Sequence, residues 1–83
     1  MSYDIKFDRK ALKELKAIHK TDAVRIIDKI ETELVLKPGA DKKLKGDKSS
    51  FYSYRIGSYR VIYELVETTI IIVKISHRKD VYI

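Results

Sequence analysis

Phe51–Tyr82 reads FYSYRIGSYRVIYELVETTIIIVKISHRKDVY. Two runs rich in aromatic and β-branched residues, Phe51–Ile56 and Tyr59–Val66, are separated only by Gly57 and Ser58. This is the signature of a two-residue hairpin with glycine first, as a type II′ turn prefers. Such a turn sets the pairing: Ile56 opposite Tyr59, Arg55 opposite Arg60, Tyr54 opposite Val61, Ser53 opposite Ile62 and Tyr52 opposite Tyr63. Partners across a ladder share a face. One face therefore collects Tyr52, Tyr54, Ile56, Tyr59, Val61 and Tyr63. The other collects Ser53, Arg55, Arg60, Ile62 and Glu64.

The first face has the makeup of a core, with tyrosine rings among aliphatics and hydroxyls able to reach the rim. On the second, Arg55 opposite Arg60 is a like-charge pair that costs about 0.2 to 1 kcal/mol unless an anion lies between the two guanidiniums. A third strand, Ile70–Ser76, follows a turn through Glu67, Thr68 and Thr69. A two-residue turn would set Lys74 opposite Val61 on the apolar face, a poor environment for an ammonium. A three-residue turn instead pairs Val66 with Ile70, Tyr63 with Val73, Ile62 with Lys74, Val61 with Ile75 and Arg60 with Ser76. Lys74, and by continuation Arg78, then join Arg55 and Arg60, with Glu64 the only carboxylate on that face. Each cation alone is an ordinary solvated charge on the open side of a sheet. Together they point to an anionic partner.

Upstream, Tyr3, Ile5 and Phe7 alternate with polar residues and predict a half-buried strand. Asp8 is an N-cap for a helix over Arg9–Ile18 with Ala11, Leu12, Leu15 and Ile18 as its apolar stripe. His19 falls at that helix's C-terminal end, where an imidazolium suits the helix dipole. Thr21 or Asp22 caps a second helix to about Leu36, with stripe Val24, Ile27, Ile30 and Leu34, and Lys37-Pro38-Gly39 stops it. The short link at Lys20 makes a helical hairpin. The fold class is α+β in the order β-α-α-β-β-β: an antiparallel sheet of the N-terminal strand and three C-terminal strands, with the helices on the tyrosine face and the arginine face open. Residues 1–83 form one domain.

The loop Asp41–Ser50 carries Lys42, Lys43, Lys45 and Lys48 around Leu44. Lysines in a loop are ordinarily solvated. As candidate phosphate contacts they would add salt-dependent affinity without reading sequence. Eighty-three residues bury only about 60 to 65% of the unfolded surface, which argues against a large enclosed pocket. Lys plus Arg number 18 against 12 for Asp plus Glu, a net charge of +6, so the expected partner is a nucleic acid or an acidic protein. With no cysteine, disulfides and thiolate zinc sites are excluded. The carboxylates are scattered rather than convergent, so no metal site and no cofactor are expected. No apolar leader or membrane-length segment is present, and the expectation is a cytoplasmic chain with no membrane partner.

The pieces LKG (44–46), YRIGSYRVIYEL (54–65) and HRKDVY (77–82), behind a β-α-α start, resemble the RelE family of type II toxin–antitoxin toxins, in the RelE/ParE superfamily. The resemblance implies a toxin that enters the ribosomal A site and cuts mRNA without a metal, the 2′-hydroxyl attacking the neighbouring phosphorus. It also implies inhibition of translation, a cognate RelB-like antitoxin and a toxin–antitoxin hetero-oligomer. By resemblance Arg60 matches the strand arginine at the scissile phosphate, and Arg55 lies near a basic position on the preceding strand. Arg78 or His77 matches the basic position after the last strand, and Tyr82 matches a C-terminal tyrosine that stacks on a base or moves a proton.

The better-studied ribosome-dependent members carry lysines, one a candidate base, where this chain has Ser53 and Arg55. A guanidinium does not give up its proton and cannot replace such a base. His77, with an unperturbed pKa of ~6.5, has the best intrinsic chemistry for acid or base, although the register points it to the helix side. Two alternatives share the fold: a ParE-like inhibitor of DNA gyrase, whose members usually lack the HRKDVY ending, and a catalytically weak RNA- or protein-binding module.

Overall fold

A computed structural model describes residues 3–39, 42–43 and 50–77. The elements are β1 (Asp4–Phe7), α1 (Arg9–Ala17), α2 (Lys20–Thr32), a single 3-10 turn (Leu34–Leu36), β2 (Lys42–Lys43), β3 (Phe51–Ile56), β4 (Tyr59–Val66) and β5 (Thr69–His77). They form one five-stranded sheet in the order β1-β5-β4-β3-β2. The element order is the expected one with the two-residue β2 added. The sheet is mixed rather than purely antiparallel, because β1 pairs in parallel with β5, Ile5 beside Ile70 and Phe7 beside Ile72.

The β3–β4 hairpin has the expected register, from Ile56 opposite Tyr59 to Tyr52 opposite Tyr63. Of its two turn residues only Gly57, at φ 58, has a positive φ, as a type II′ turn requires. The β4–β5 hairpin differs from expectation in an informative way. Its turn has two residues, not three: Val66 pairs with Thr69 and Tyr63 with Ile72, whereas Ile62 pairs with Lys74 and Arg60 with Ser76. Val73 is the extra residue of a β-bulge between the two halves. A bulge shifts the alternation of side chains by one. Ile70 and Ile72 can thus be fully buried before it, and Ile75 buried after it. Lys74 still reaches the polar side. The three-residue turn satisfied Lys74 but would have put Ile70 and Ile72 on the open face.

The helices cover the tyrosine side of the sheet. Asp8 caps α1, its Oδ1 accepting the Lys10 N–H at 2.9 Å, and Ala11 and Leu15 are buried. Leu12, expected in the stripe, is 40% exposed. In α2 the buried stripe runs through Ile26, Ile30 and, beyond the helix, Leu34, with Ile27 packed against it. Val24, expected in that stripe, is 59% exposed. Ala23, Ile26, Ile27, Ile30 and Leu34 keep helical spacing as well as the Val24 set does, and packing on the sheet selects between them. α2 ends at Thr32 rather than near Leu36. Tyr63, Ile26, Ile30, Ile70, Ile72 and Val61 are the largest fully enclosed side chains. Each such aliphatic contributes roughly 1.5 to 3 kcal/mol of burial.

Candidate functional site

On the open side of the sheet, partners across the strands form rows about 4.8 Å apart from strand to strand. One row is Arg55–Arg60–Ser76, and the next is Ser53–Ile62–Lys74. Arg55 and Lys74 are exposed and Arg60 is half-buried. The like-charge pair read from the hairpin is therefore real, and the bulge at Val73 sets Lys74 one row away. Glu64 shares the face, where it accepts from Ser50 Oγ at 3.3 Å. Glu64 is not the only carboxylate there, contrary to expectation, because β1 pairs with β5 and brings Asp4 and Lys6 in register with Thr69 and Ile71. Four residues of extended chain place the Glu64 Cα about 13 Å from that of Arg60, beyond the ~8 Å screening length of physiological salt. Among the described residues the only ion pair is Lys29–Glu33, at 2.6 Å, and neither partner is on this face. Among the described residues, no carboxylate is paired with the arginine row, which forms a positive strip.

The lysines of the loop divide. Lys42 pairs with Ser53 at the edge of the second row. Lys43 is exposed and pairs with Tyr52, so its register belongs to the helix side and not to the arginine face. Lys45, Lys48, Arg78 and Tyr82 lie outside the described residues, as does Leu44.

His77 pairs with Tyr59 and meets its ring edge-on, with centroids 5.0 Å apart and planes at 86°. It is on the helix side, as its register implied. His19 differs from expectation. It does not close α1 but caps α2, its Nδ1 accepting the Thr21 N–H at 3.3 Å. With Nδ1 accepting, the neutral ring carries its proton on Nε2. Two tyrosine hydroxyls do reach the rim: Tyr59 donates to Asp22 Oδ2 at 3.0 Å and Tyr54 donates to Glu33 Oε1 at 3.1 Å, whereas Tyr63 is fully buried and its hydroxyl accepts the Gly39 N–H at 2.8 Å. The Lys29 ammonium and then the Tyr54 hydroxyl, both donating to Glu33, hold its carboxyl below the ordinary value of 4.5.

One component escaped the sequence reading. β1 pairs with β5 only as far as Ile72, so among the described residues the rest of that edge has no strand neighbour. Glu14 supplies a substitute, its Oε1 accepting the Ile75 N–H at 2.8 Å. In the helix pattern Glu14 looked like a solvent-facing residue. The signal that could have found it is the length difference between β1 and β5, since a strand edge packed under a helix needs partners for its N–H groups. Around this edge runs an open groove of about 820 Å³ that joins Arg60 and Lys74 of the open face to Glu14, His19, Tyr59 and His77. Among the described residues, no helix is long and apolar enough to cross a membrane.

The same architecture occurs in solved toxin–antitoxin structures. A chain of the RelBE2 toxin–antitoxin complex of Mycobacterium tuberculosis superposes with a TM-score of 0.86 at 23% identity, covering 94% of this chain and all of that one (100%). The isolated RelE toxin of E. coli gives 0.77 at 22% identity, over 90% of this chain and 83% of that one. A chain of the RelB–RelE antitoxin–toxin complex from Methanococcus jannaschii gives 0.71 at 30% identity, over 93% and 94%. In sequence, Toxin RelG of Mycobacterium tuberculosis is 26% identical over 85 residues, covering 99% of this chain and 98% of the relative. A family model described as the ParE toxin of the type II toxin–antitoxin system parDE matches residues 5–82. With nearly the whole chain matched, the protein belongs to the ParE toxin family and is a type II toxin of the RelE/ParE superfamily.

Proposed function

We propose that this toxin is a RelE-like endoribonuclease that cuts mRNA on the ribosome, in the cytoplasm, and is held inactive by a RelB-like antitoxin. The observation that carries the reading is Arg55 opposite Arg60, with Lys74 one row away and no carboxylate paired to them among the described residues. A phosphate group converts that repulsion into attraction. Two further facts support the reading: the resemblance of the HRKDVY ending to RelE toxins, and the match to structures solved as complexes with RelB-type antitoxins.

In the reaction, the 2′-oxygen attacks the adjacent phosphorus as its proton passes to a base. The bond to the 5′-oxygen breaks, leaving a cyclic phosphate, and an acid protonates the departing oxygen. Arg60 and Arg55 are suited to the charge that builds on the phosphorane, because guanidiniums stay ionised and bind phosphate oxygens bidentately. Arg78 extends this set. His77, which lines the same groove as Arg60, and Tyr82 are the titratable candidates for base and acid. Lys42, Lys45, Lys48 and Lys74 attract the backbone without choosing a sequence.

A second reading, inhibition of DNA gyrase by binding alone, follows from the resemblance to ParE-like toxins, and the match of residues 5–82 to the ParE toxin family model keeps it in play. One experiment separates the two: primer extension on a reporter mRNA with and without programmed ribosomes, beside a gyrase supercoiling assay, for wild type and Arg60→Ala. Cuts that need ribosomes and fall by about 10² to 10³ in the variant support the nuclease. Inhibited supercoiling with an intact message selects the gyrase inhibitor.

A further inference from the structure

We propose that the groove around the edge of β5 beyond Ile72 is a base-binding subsite that takes a nucleobase with an amino group at C4 or C6, cytosine or adenine, in preference to uracil. The inference rests on the reading of the open face as an RNA track. It adds what that reading lacks, a place where a base is recognised.

The groove has the volume of a small-ligand site, about 820 Å³ against a usual range of ~300 to 1,000 Å³. Its walls differ in chemistry. Arg60 and Lys74 form the side continuous with the open face, where phosphates would bind. Ile62 supplies apolar surface, and the His77 imidazole, braced edge-on by Tyr59, offers a ring for stacking. Single-stranded RNA is recognised by this combination of backbone cations and aromatic rings. The selective group is Glu14, which also lines the groove. Its Oε1 is committed to the Ile75 N–H, but an ionised carboxylate has acceptor capacity on both oxygens and donates nothing. An amino group at the base edge can donate to it, as cytosine N4 does to acidic side chains. The carbonyl that uracil carries at the same position cannot donate and is repelled.

The test is fluorescence polarisation of 5′-labelled tetracytidylate and tetrauridylate with the full chain at low salt. Wild type is expected to bind the cytidine strand about tenfold more tightly. Glu14→Gln keeps an oxygen for the Ile75 N–H but adds an NH₂ donor, so the preference should vanish or reverse. His77→Ala should weaken both strands by about tenfold through lost stacking, and Arg60→Ala should weaken both without changing their ratio. Equal affinity of wild type for the two strands, with binding still dependent on Arg60, overturns the subsite and leaves the RNA track standing. No binding of either strand removes both. The wild-type comparison uses no variant, so a misfolded mutant cannot blur the outcome.

Discussion

The Ile75 N–H donates to Glu14 Oε1 at 2.8 Å, joining residues 61 apart in sequence. The bond stands where β1 would have continued its ladder with β5. It holds the half of β5 beyond the bulge, the half that sets Lys74 and Ser76 beside Ile62 and Arg60. Glu14→Ala should leave a partly buried N–H unpaired and cost about 1 to 3 kcal/mol, seen as a lower urea midpoint and faster hydrogen exchange at the Ile75 amide. Glu14→Gln, which retains an acceptor, should recover most of the loss. Unchanged exchange at Ile75 in Glu14→Ala would falsify this role.

Arg55 and Arg60 set stability against function. Replacing Arg55 by Glu turns a like-charge pair into an opposite-charge pair directly across the ladder, a gain of about 0.5 to 1 kcal/mol in the folded state. The same change removes a cation from the strip. Arg55→Glu should therefore unfold at higher urea while losing RNA affinity and toxicity. A variant both less stable and fully toxic would mean that the face is not an anion site.

Tyr63 is fully buried, stacks on Tyr52 with centroids 5.4 Å apart, and accepts the Gly39 N–H through its hydroxyl at 2.8 Å. Tyr63→Phe keeps the ring and deletes that acceptor. The expected cost is about 1 to 2 kcal/mol, measured by thermal or urea unfolding. Faster amide exchange at Gly39 identifies the lost bond as the cause.

Glu33 supplies a pH dependence. Lys29 and Tyr54 lower its folded-state pKa below the ordinary 4.5, so the unfolded chain binds the proton more readily. Its contribution to stability is complete above about pH 4.5 and disappears as the pH falls through the folded-state value. The site is exposed, so the effect is small and screened by salt. In urea titrations the difference between wild type and Glu33→Gln should be present at pH 7 and shrink below pH 4.5. A difference that grows on acidification would reverse the assignment.

Local chemistry determined a large part of this protein. Gly57-Ser58 set the β3–β4 register, because a two-residue turn leaves one pairing, and with it came the opposition of Arg55 and Arg60 and the tyrosine-lined core face. Asp8 marked the start of α1 for the same reason: a cap acts within a few residues. Tertiary structure decided what depends on distant neighbours. The parallel partnership of β1 with β5 and the choice of Ile26 over Val24 for the buried side of α2 both depend on packing that helical periodicity does not encode. The bulge at Val73 belongs with them. Two demands met there, Ile70 and Ile72 needing the core and Lys74 needing water, and an even alternation could not satisfy both. Glu14 became a partner of β5 because β1 stops pairing with that strand at Ile72 and α1 packs beside it.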